Sequence, residues 1–386
     1  MKICFICGEY PPGHHGGIGT MTQVLGRSLS RQGHDVRVIG VYPPNHESPE
    51  FEVDQGVRVW RLRDSIYKGG WIAARIWLYR KVADWVRAGH VEVVEVPDYH
   101  GWAAGWKKFG APVIVRLHGS LTYFASELHQ PVDRMGYWLE RSSLRRADYV
   151  CSVSEYTSKL TAQLFNIALD FAPVLYNPVE LIADSPGVPR AQNRVVFSGT
   201  LTGKKGVVSL IKAWTTVVKS RPDAELHIFG KDARAANGQS MQAVLSSLLN
   251  GARASVHFHG HVSRQKLLDV FQTSGVAVFP SQAEAFAIAP LEAMASGCPT
   301  IYSQRGSGPE LMEHSRQGLL VDPDKPEQIA EAILRVQSDI SFARALGEAG
   351  RARVVERFSI DKLTAQNIAF YNRCVKDFHS RQQRPS

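Results

Sequence analysis

Short apolar runs alternate with helical stretches along this chain, in two successive series separated by a proline-rich segment that has no periodicity. No other feature restricts the fold as strongly. Strands that recur with helices between them argue for a parallel sheet covered by helices on both faces. The first series reads as strand 2–7, helix 21–32 and strand 36–41, the last introduced by a turn at Gly33-His34. Apolar 91–96, a helix over 102–109, apolar 113–117 and strand 149–153 continue it, with Ser154 placed to cap the next helix.

The break spans 177–189, where Asn177-Pro178, Asp184-Ser185-Pro186-Gly187 and Pro189 crowd together, and it reads as an interdomain linker. The alternation then restarts: strand 195–197, helix 208–220, strand 225–229, helix 239–249, strand 256–258, helix 264–273 and strand 276–279. A helix from Pro290, a strand at 300–301 and helices from Pro326 onward complete it, and the polar tail 379–386 is expected to fray. Two α/β halves result, 1–178 and 190–362. Such sheets bind ligands at the carboxyl ends of their strands, so the expected site is a cleft between the halves.

Composition removes several other classes. With 44% apolar and 21% charged residues the chain matches ordinary globular usage, which excludes disorder and collagen. No apolar run reaches the roughly 18 residues needed to span a bilayer. The apolar opening 1–7 is too short for a signal-peptide core, so a cytosolic location is expected. Cys4 and Cys7 resemble a metal or redox pair, but side chains three apart on a strand point to opposite faces; buried thiols are expected at all five cysteines. The formal charge is +9, and residues 58–87 hold eight basic and two acidic residues together with four tryptophans, Trp60, Trp71, Trp77 and Trp85. That stretch is expected either to meet an anionic lipid surface or to form a buried helix with solvated edges. Nucleic-acid binding lacks any recognition module.

Three segments carry chemistry. Gly16-Gly17-Ile18-Gly19 lies between the first strand and the first helix, where backbone N–H groups and the helix dipole suit a phosphate. The loop is too long for a dinucleotide fingerprint, and an ordinary glycine loop is the plain alternative. The run from Gly199 to Gly206 sets Lys204 and Lys205 beside glycines at another strand-to-helix junction. It lacks the Ser or Thr of a magnesium-binding P-loop, so it reads as a metal-free phosphate site or as two solvated lysines. In the third, Pro290 suits a first helical turn and would put Glu292 there too, while Glu284 lies in the preceding loop. The two carboxylates read as hydroxyl binders rather than as a glycosidase pair.

The E-x7-E spacing from Glu284 to Glu292 resembles that of retaining glycosyltransferases of the GT-B fold, specifically the large family four. The Glu-Ala-Met-Ala-x-Gly-x-Pro run, the Gly-Gly-Ile-Gly loop and the Lys-Lys-Gly segment occur in the family's order, and 116–119, 147–155 and 176–178 are similar to family positions. The resemblance covers nearly the whole chain. It implies two Rossmann-like domains facing across a cleft, an acceptor domain 1–178 joined by a returning C-terminal helix 363–386, and a donor domain 190–362.

It further implies catalytic roles for His118, Glu284 and Lys205. Glu284 would hold hydroxyls of the transferred sugar and Glu292 the nucleotide ribose. Lys205 would neutralise the diphosphate, aided by Lys204, Thr200 and the backbone at Gly16, Gly17, Phe286, Ala287 and Ile288. His118 would touch the donor sugar, the backbone near His261 and Val262 would read the base, and Asp98 and Tyr99 would meet the acceptor. The implied activity is metal-free, retaining transfer of a hexose, glucose from UDP-glucose above all, to a glycan or lipid-linked acceptor in exopolysaccharide or envelope polysaccharide synthesis. No cofactor is implied, and the enzyme would work in the cytoplasm, at times at the inner face of the plasma membrane. The chain departs from the family at Thr200, where an arginine is usual, and at Ala285 and Ala287, where glycines are usual. A nucleotide-sugar epimerase of GT-B type and an inactive sugar-binding protein are the competing readings.

Overall fold

The computed structural model describes every residue except His14, 64–69, 170–171, 183–188 and 384–386. The chain divides into two compact units, Met1–Pro178 with Ile360–Ser386, and Val179–Ser359.

The first unit contains β1 (Lys2–Ile6), α1 (Gly17–Arg31), β2 (Asp35–Tyr42), β3 (Phe51–Asp54), β4 (Val57–Arg63) and α2 (Gly70–Arg87), then β5 (Val93–Pro97), β6 (Val113–Leu117), α3 (Leu121–Glu127), α4 (Arg134–Arg146), β7 (Tyr149–Ser152) and α5 (Glu155–Phe165). Its seven strands run β3-β4-β2-β1-β5-β6-β7. All neighbours are parallel except β3, which is antiparallel to β4 at the edge. The central strands read as continuous apolar runs because helices cover both faces; Cys4, Ile6, Ile39, Val94, Val96 and Val113 form one core with Leu78, Val82 and Trp85 of α2.

The second unit begins with β8 (Ala191–Ser198), α6 (Val207–Ser220), β9 (Glu225–Phe229), α7 (Met241–Leu248), β10 (Val256–Gly260), α8 (Arg264–Thr273) and β11 (Ser274–Phe279). It ends with α9 (Ile288–Ala295), β12 (Thr300–Ser303), α10 (Gly308–Leu311), β13 (Leu319–Val321), α11 (Pro326–Ser338) and α12 (Ile340–Arg357). Its six strands run β10-β9-β8-β11-β12-β13, all parallel. Trp214 of α6 is wholly buried in the core and gives its indole N–H to Ser255 Oγ at 2.9 Å, so its polar atom is satisfied.

The last helix, α13 (Ile360–Gln382), returns to the first unit. A buried ion-pair network ties it to the sheet. Arg116 on β6 makes two 2.8 Å bonds to the Glu95 carboxylate on β5 and donates to Asn367 Oδ1 at 2.5 Å, while Tyr371 donates to Glu95 at 2.7 Å. A buried guanidinium persists only where its charge is paired and its N–H groups are used, and Asn367 and Tyr371, one turn apart on α13, complete the set. Arg116 therefore serves the fold.

Several expectations change. Residues 102–105 are turns and 106–109 are irregular, because Gly101 and Gly105 take φ of +57° and +75°, which no α-helix accommodates. The tail is helical to Gln382, held by α13 packing on α1, where Thr364 bonds Ser28 at 2.9 Å. The stretch 58–87 is a strand and a helix, with 64–69 outside the described residues. Many of its cations are engaged: Arg61 is buried and bonds Glu52, Arg75 donates to the carbonyls of His100 and Gly101, and Arg87 pairs with Asp84. The residues Asp184 to Gly187 of the expected linker also lie outside the described residues. The cysteines are all free and buried, and burial pushes the Cys4 and Cys7 thiols up to about 12.

Candidate functional site

In a parallel sheet, the crevice for a ligand opens at the carboxyl ends of the two strands where the strand order reverses. In the second unit those strands are β8 and β11, and in the first they are β1 and β5. The loops leaving these four strands hold most of the chemistry-bearing residues.

In the second unit, the loop after β8 tightens into a short 3-10 turn, Gly203–Lys205, before α6. Gly206, at φ +70°, ends that turn, and a Cβ there would lie 1.6 Å from the Pro280 carbonyl oxygen. Only glycine lets the lysine turn press against the loop after β11. The two loops are stitched by Gln282 N–H donating to Lys204 O at 2.7 Å. Lys205 Nζ and Glu284 form an ion pair across the reversal point, joining positions separated by 79 residues in sequence. Ser281 Oγ donates to the same Glu284 oxygen at 3.2 Å. Burial pushes the Glu284 carboxyl up, but the charges of Lys205 and Lys204 and the bonds from Lys205 and Ser281 outweigh it and hold the group below the ordinary carboxylate range. It is a carboxylate at neutral pH.

Glu292 stands in a different setting. α9 starts at Ile288, two residues before Pro290, so Glu292 lies beyond the first turn rather than in it. The proline still fits, because the first turn has N–H groups without intrahelical acceptors. Glu292 is 6% exposed and accepts from Arg264 Nε at 2.5 Å, and Arg264 Nη1 reaches Glu180 at 2.6 Å. Burial raises the Glu292 carboxyl above its usual range, the Arg264 charge and hydrogen bond opposing and Glu180 adding to the rise. The two glutamates thus have separate cations. Phe286 and Ala287 lead into α9, whose N-terminal N–H groups point out of the helix. His261 and Val262 lie in the turn from β10 to α8, just before its N-cap Ser263, and Thr200 is exposed.

In the first unit, Gly16 caps α1 and Gly17 begins it. Glu9 Oε1 accepts from Gly19 N–H at 2.8 Å, placing a carboxylate at the helix start. A Cβ on Gly19 would lie 1.9 Å from the Glu9 carbonyl oxygen, so the close approach requires glycine, whereas a Cβ on Gly17 would meet nothing within 4 Å. The loop is anchored by Arg61, which donates to Pro11 O at 2.9 Å, and by Tyr10, which bonds Tyr42 and Asp54. Across this reversal point, Asp98 and Tyr99 follow β5. Asp98 Oδ1 accepts from His118 N–H at 2.8 Å. Burial pushes the Asp98 carboxyl up to about 7; N–H groups of His118, Gly119 and Tyr99 counter this, and Glu140 adds to it. Burial and then the Arg116 charge hold the His118 imidazole well below its ordinary range, so it is neutral. Glu140 itself caps α3, accepting from Leu121 and Thr122 N–H. Ser154 caps α5 through Thr157 N–H at 3.0 Å.

Glu9, Arg264 and Glu180 are the site residues that sequence reasoning missed. Glu9 had a signal, an acid just after the first strand; Arg264 had none, since its partner lies far along the chain. Among the described residues, Glu225, His227 and His257 could hold a metal ion. They sit on the edge strand β10 and its neighbour β9, away from the β8–β11 reversal point.

Two sequence families match. Glycosyltransferase Family 4 covers residues 15–182, and Glycosyl transferases group 1 covers residues 179–353. An uncharacterised glycosyltransferase of Methanocaldococcus jannaschii is 28% identical over 96% of this chain and 98% of its own. The sucrose-phosphate synthase structure of Thermosynechococcus elongatus superposes with a TM-score of 0.78 at 23% identity, over 96% of this chain and 98% of that one. The Anabaena protein HepE, solved with UDP-glucose, gives 0.76 at 17% identity, over 96% and 99%.

Proposed function

Because the chain belongs to the glycosyltransferases of GT-B fold and family-four type, we propose that it moves a hexose from a nucleotide diphosphate sugar to a glycan or lipid-linked acceptor with retention at the anomeric carbon. UDP-glucose is the preferred donor, a choice supported by the UDP-glucose bound to the structurally similar HepE. The observation that carries the reading is the Lys205–Glu284 pair at the β8–β11 reversal point.

The pair joins a cation for the diphosphate to a carboxylate for the sugar. On donor binding Lys205 exchanges its carboxylate partner for the diphosphate, freeing Glu284 to accept from hexose hydroxyls. Glu292 accepts from the ribose, with Arg264 as its counter-ion. Backbone N–H groups at Phe286, Ala287 and Ile288, and the glycines at the two strand-to-helix junctions, add donors for phosphate oxygens. Gly17 and Gly203 support this: neither has a neighbour within 4 Å that would exclude a side chain, so packing does not explain them. Thr200 offers a hydroxyl where the family usually has a guanidinium, which leaves Lys204 as the second cation.

Transfer then proceeds on one face of the sugar. The bond from the anomeric carbon to the diphosphate oxygen breaks, the acceptor oxygen bonds to that carbon from the same side, and its proton passes to the departing diphosphate. The protein contributes positioning and charge stabilisation of the leaving group. Lysines and amides suffice for that charge, so transfer needs no divalent metal. Neutral His118 is suited to hydrogen-bond the sugar without adding a positive charge beside the developing oxocarbenium. Asp98 and Tyr99, at the other reversal point, are the acceptor contacts.

A lipid-linked acceptor is supported by exposed apolar side chains of the first unit: Trp71, Ile72, Ile76 and Trp77 on α2, and Met135 and Trp138 on α4. Peripheral docking is the mode this implies; among the described residues no helix is long and apolar enough to cross a membrane.

The test is acceptor-free hydrolysis of a panel of nucleotide sugars in EDTA. UDP-glucose should be cleaved fastest, with the α-anomer of glucose released first. Cleavage of no donor in the panel, or activity that appears only on adding manganese, refutes the proposal.

A further inference from the structure

Alternation along β9 and β10 sends Leu226, Ile228, Val256 and Phe258 into the core of the second unit and leaves Glu225, His227, Phe229, His257 and His259 on the opposite face. His227 and His257 are direct cross-strand partners. Their ring centroids are 4.8 Å apart, and His259 stacks parallel to both His227, at 5.1 Å, and Phe229, at 4.4 Å. One ligand atom each from Glu225, His227 and His257 lies within 4.8 Å of the others, and all three residues are half-buried.

We propose that Glu225, His227 and His257 form a transition-metal site of the Zn2+ type on this sheet edge. One carboxylate and two imidazoles are a donor set that zinc takes, at about 2.0–2.2 Å, with a fourth position left to solvent. The hydrogen bonds match that arrangement. His227 Nε2 is 3.2 Å from Glu225 Oε2, while its Nδ1 is 2.9 Å from His259 Nε2. Without a metal, a proton on Nε2 donates to Glu225; a metal ion takes the place of that proton, and His227 then carries its proton on Nδ1 and donates to His259. A ligating histidine fixed through its other nitrogen is the usual supporting arrangement.

Burial lowers the His227 and His259 proton affinities, and the charge of Arg194 on β8 lowers both further, with Lys266 on α8 acting on His259 and Glu225 opposing at His227. Arg194 also repels a metal cation, but one ion shared by three donors gains coordination that a proton held by one imidazole does not. This site is separate from the transfer chemistry, which the proposed mechanism runs without metal.

Calorimetric titration of the full chain at pH 7.5, free of any affinity tag, with ZnCl2 and NiCl2 is the test. One equivalent should bind, and His227→Gln and His257→Gln should each weaken binding at least tenfold, while His15→Gln leaves it unchanged. A readout independent of variants is cobalt(II) added to the native chain, whose visible absorption should report nitrogen ligation and vanish as pH falls and the imidazoles protonate. Absence of saturable binding by zinc, nickel and cobalt overturns the proposal, and so does binding that survives both histidine substitutions.

Discussion

Two strand-to-helix junctions, β1 to α1 and β8 to α6, occupy equivalent places at the reversal points of their sheets yet carry opposite charge. Each has one glycine that close packing demands, Gly19 against the Glu9 carbonyl and Gly206 against the Pro280 carbonyl. Each also has one that packing leaves unexplained, Gly17 and Gly203. The first junction sets the Glu9 carboxylate against the N-terminus of α1 through Gly19 N–H, answering the helix dipole from within the chain. The second sets Lys204 and Lys205 before α6 with no acidic residue in the first turn. An anion already sits at one helix start, whereas cations surround the other. Of the two, the β8–α6 junction is therefore the stronger place for an anion.

The sharpest way to break this comparison is at Lys205. Lys205→Ala should raise the barrier by about 2–4 kcal/mol, a loss in turnover of roughly 30- to 1000-fold, since a charged donor to the leaving group is lost. Lys204→Ala, which leaves the Lys205–Glu284 ion pair in place, should lose far less. Steady-state rates with saturating donor check it; equal losses would give Lys204 the role of the missing arginine.

A smaller effect separates the two glutamates. Glu292→Gln should weaken free nucleotide diphosphate by about tenfold, the size of a hydrogen bond to a charged group, because the ribose contact is present in ground and transition states alike. Glu284→Gln should leave that affinity nearly unchanged and depress turnover with intact donor, because in the proposed mechanism its carboxylate holds the ring where positive charge develops. Calorimetry with UDP alongside kinetics with the sugar nucleotide separates them, and equal weakening of UDP by both variants defeats the division.

The smallest effect lies at the first junction. Glu9→Gln keeps an acceptor for Gly19 N–H but removes the charge at the helix start, so it should destabilise the fold by only about 0.3–1 kcal/mol. Urea denaturation measures this. A turnover loss as large as that of Lys205→Ala would instead make Glu9 part of the reaction and collapse the contrast between the junctions.

Local order was legible because its causes lie within a few residues. Apolar runs marked β1, β5, β6 and β11, Ser154 announced its own helix, and the glycine-lysine turn was visible before α6. The hairpin β3–β4 was missed because β3 is a four-residue edge strand and the apolar residues of β4 alternate with arginines, and the segment after Gly101 passed for a helix because Trp102 to Phe109 keep an apolar rhythm. Glu284 and Lys205 were named from residue type and spacing and His118 from the family resemblance, but nothing near Glu284 in sequence says that Lys205 pairs with it.

The sequence by itself determined the α/β alternation, the two series and the glycines on which tight junctions depend, since periodicity and backbone freedom are properties of neighbours along the chain. Only the tertiary structure decided the partners: Lys205 with Glu284, Arg264 with Glu292 and Glu180, Arg116 with Glu95 and the returning α13, and the histidines gathered from two strands at the sheet edge. Parallel strands are joined through crossover helices, so residues that meet at a sheet's end are tens to hundreds of positions apart. Their charges and shifted proton affinities come into being when strand order and register bring them within a few ångströms.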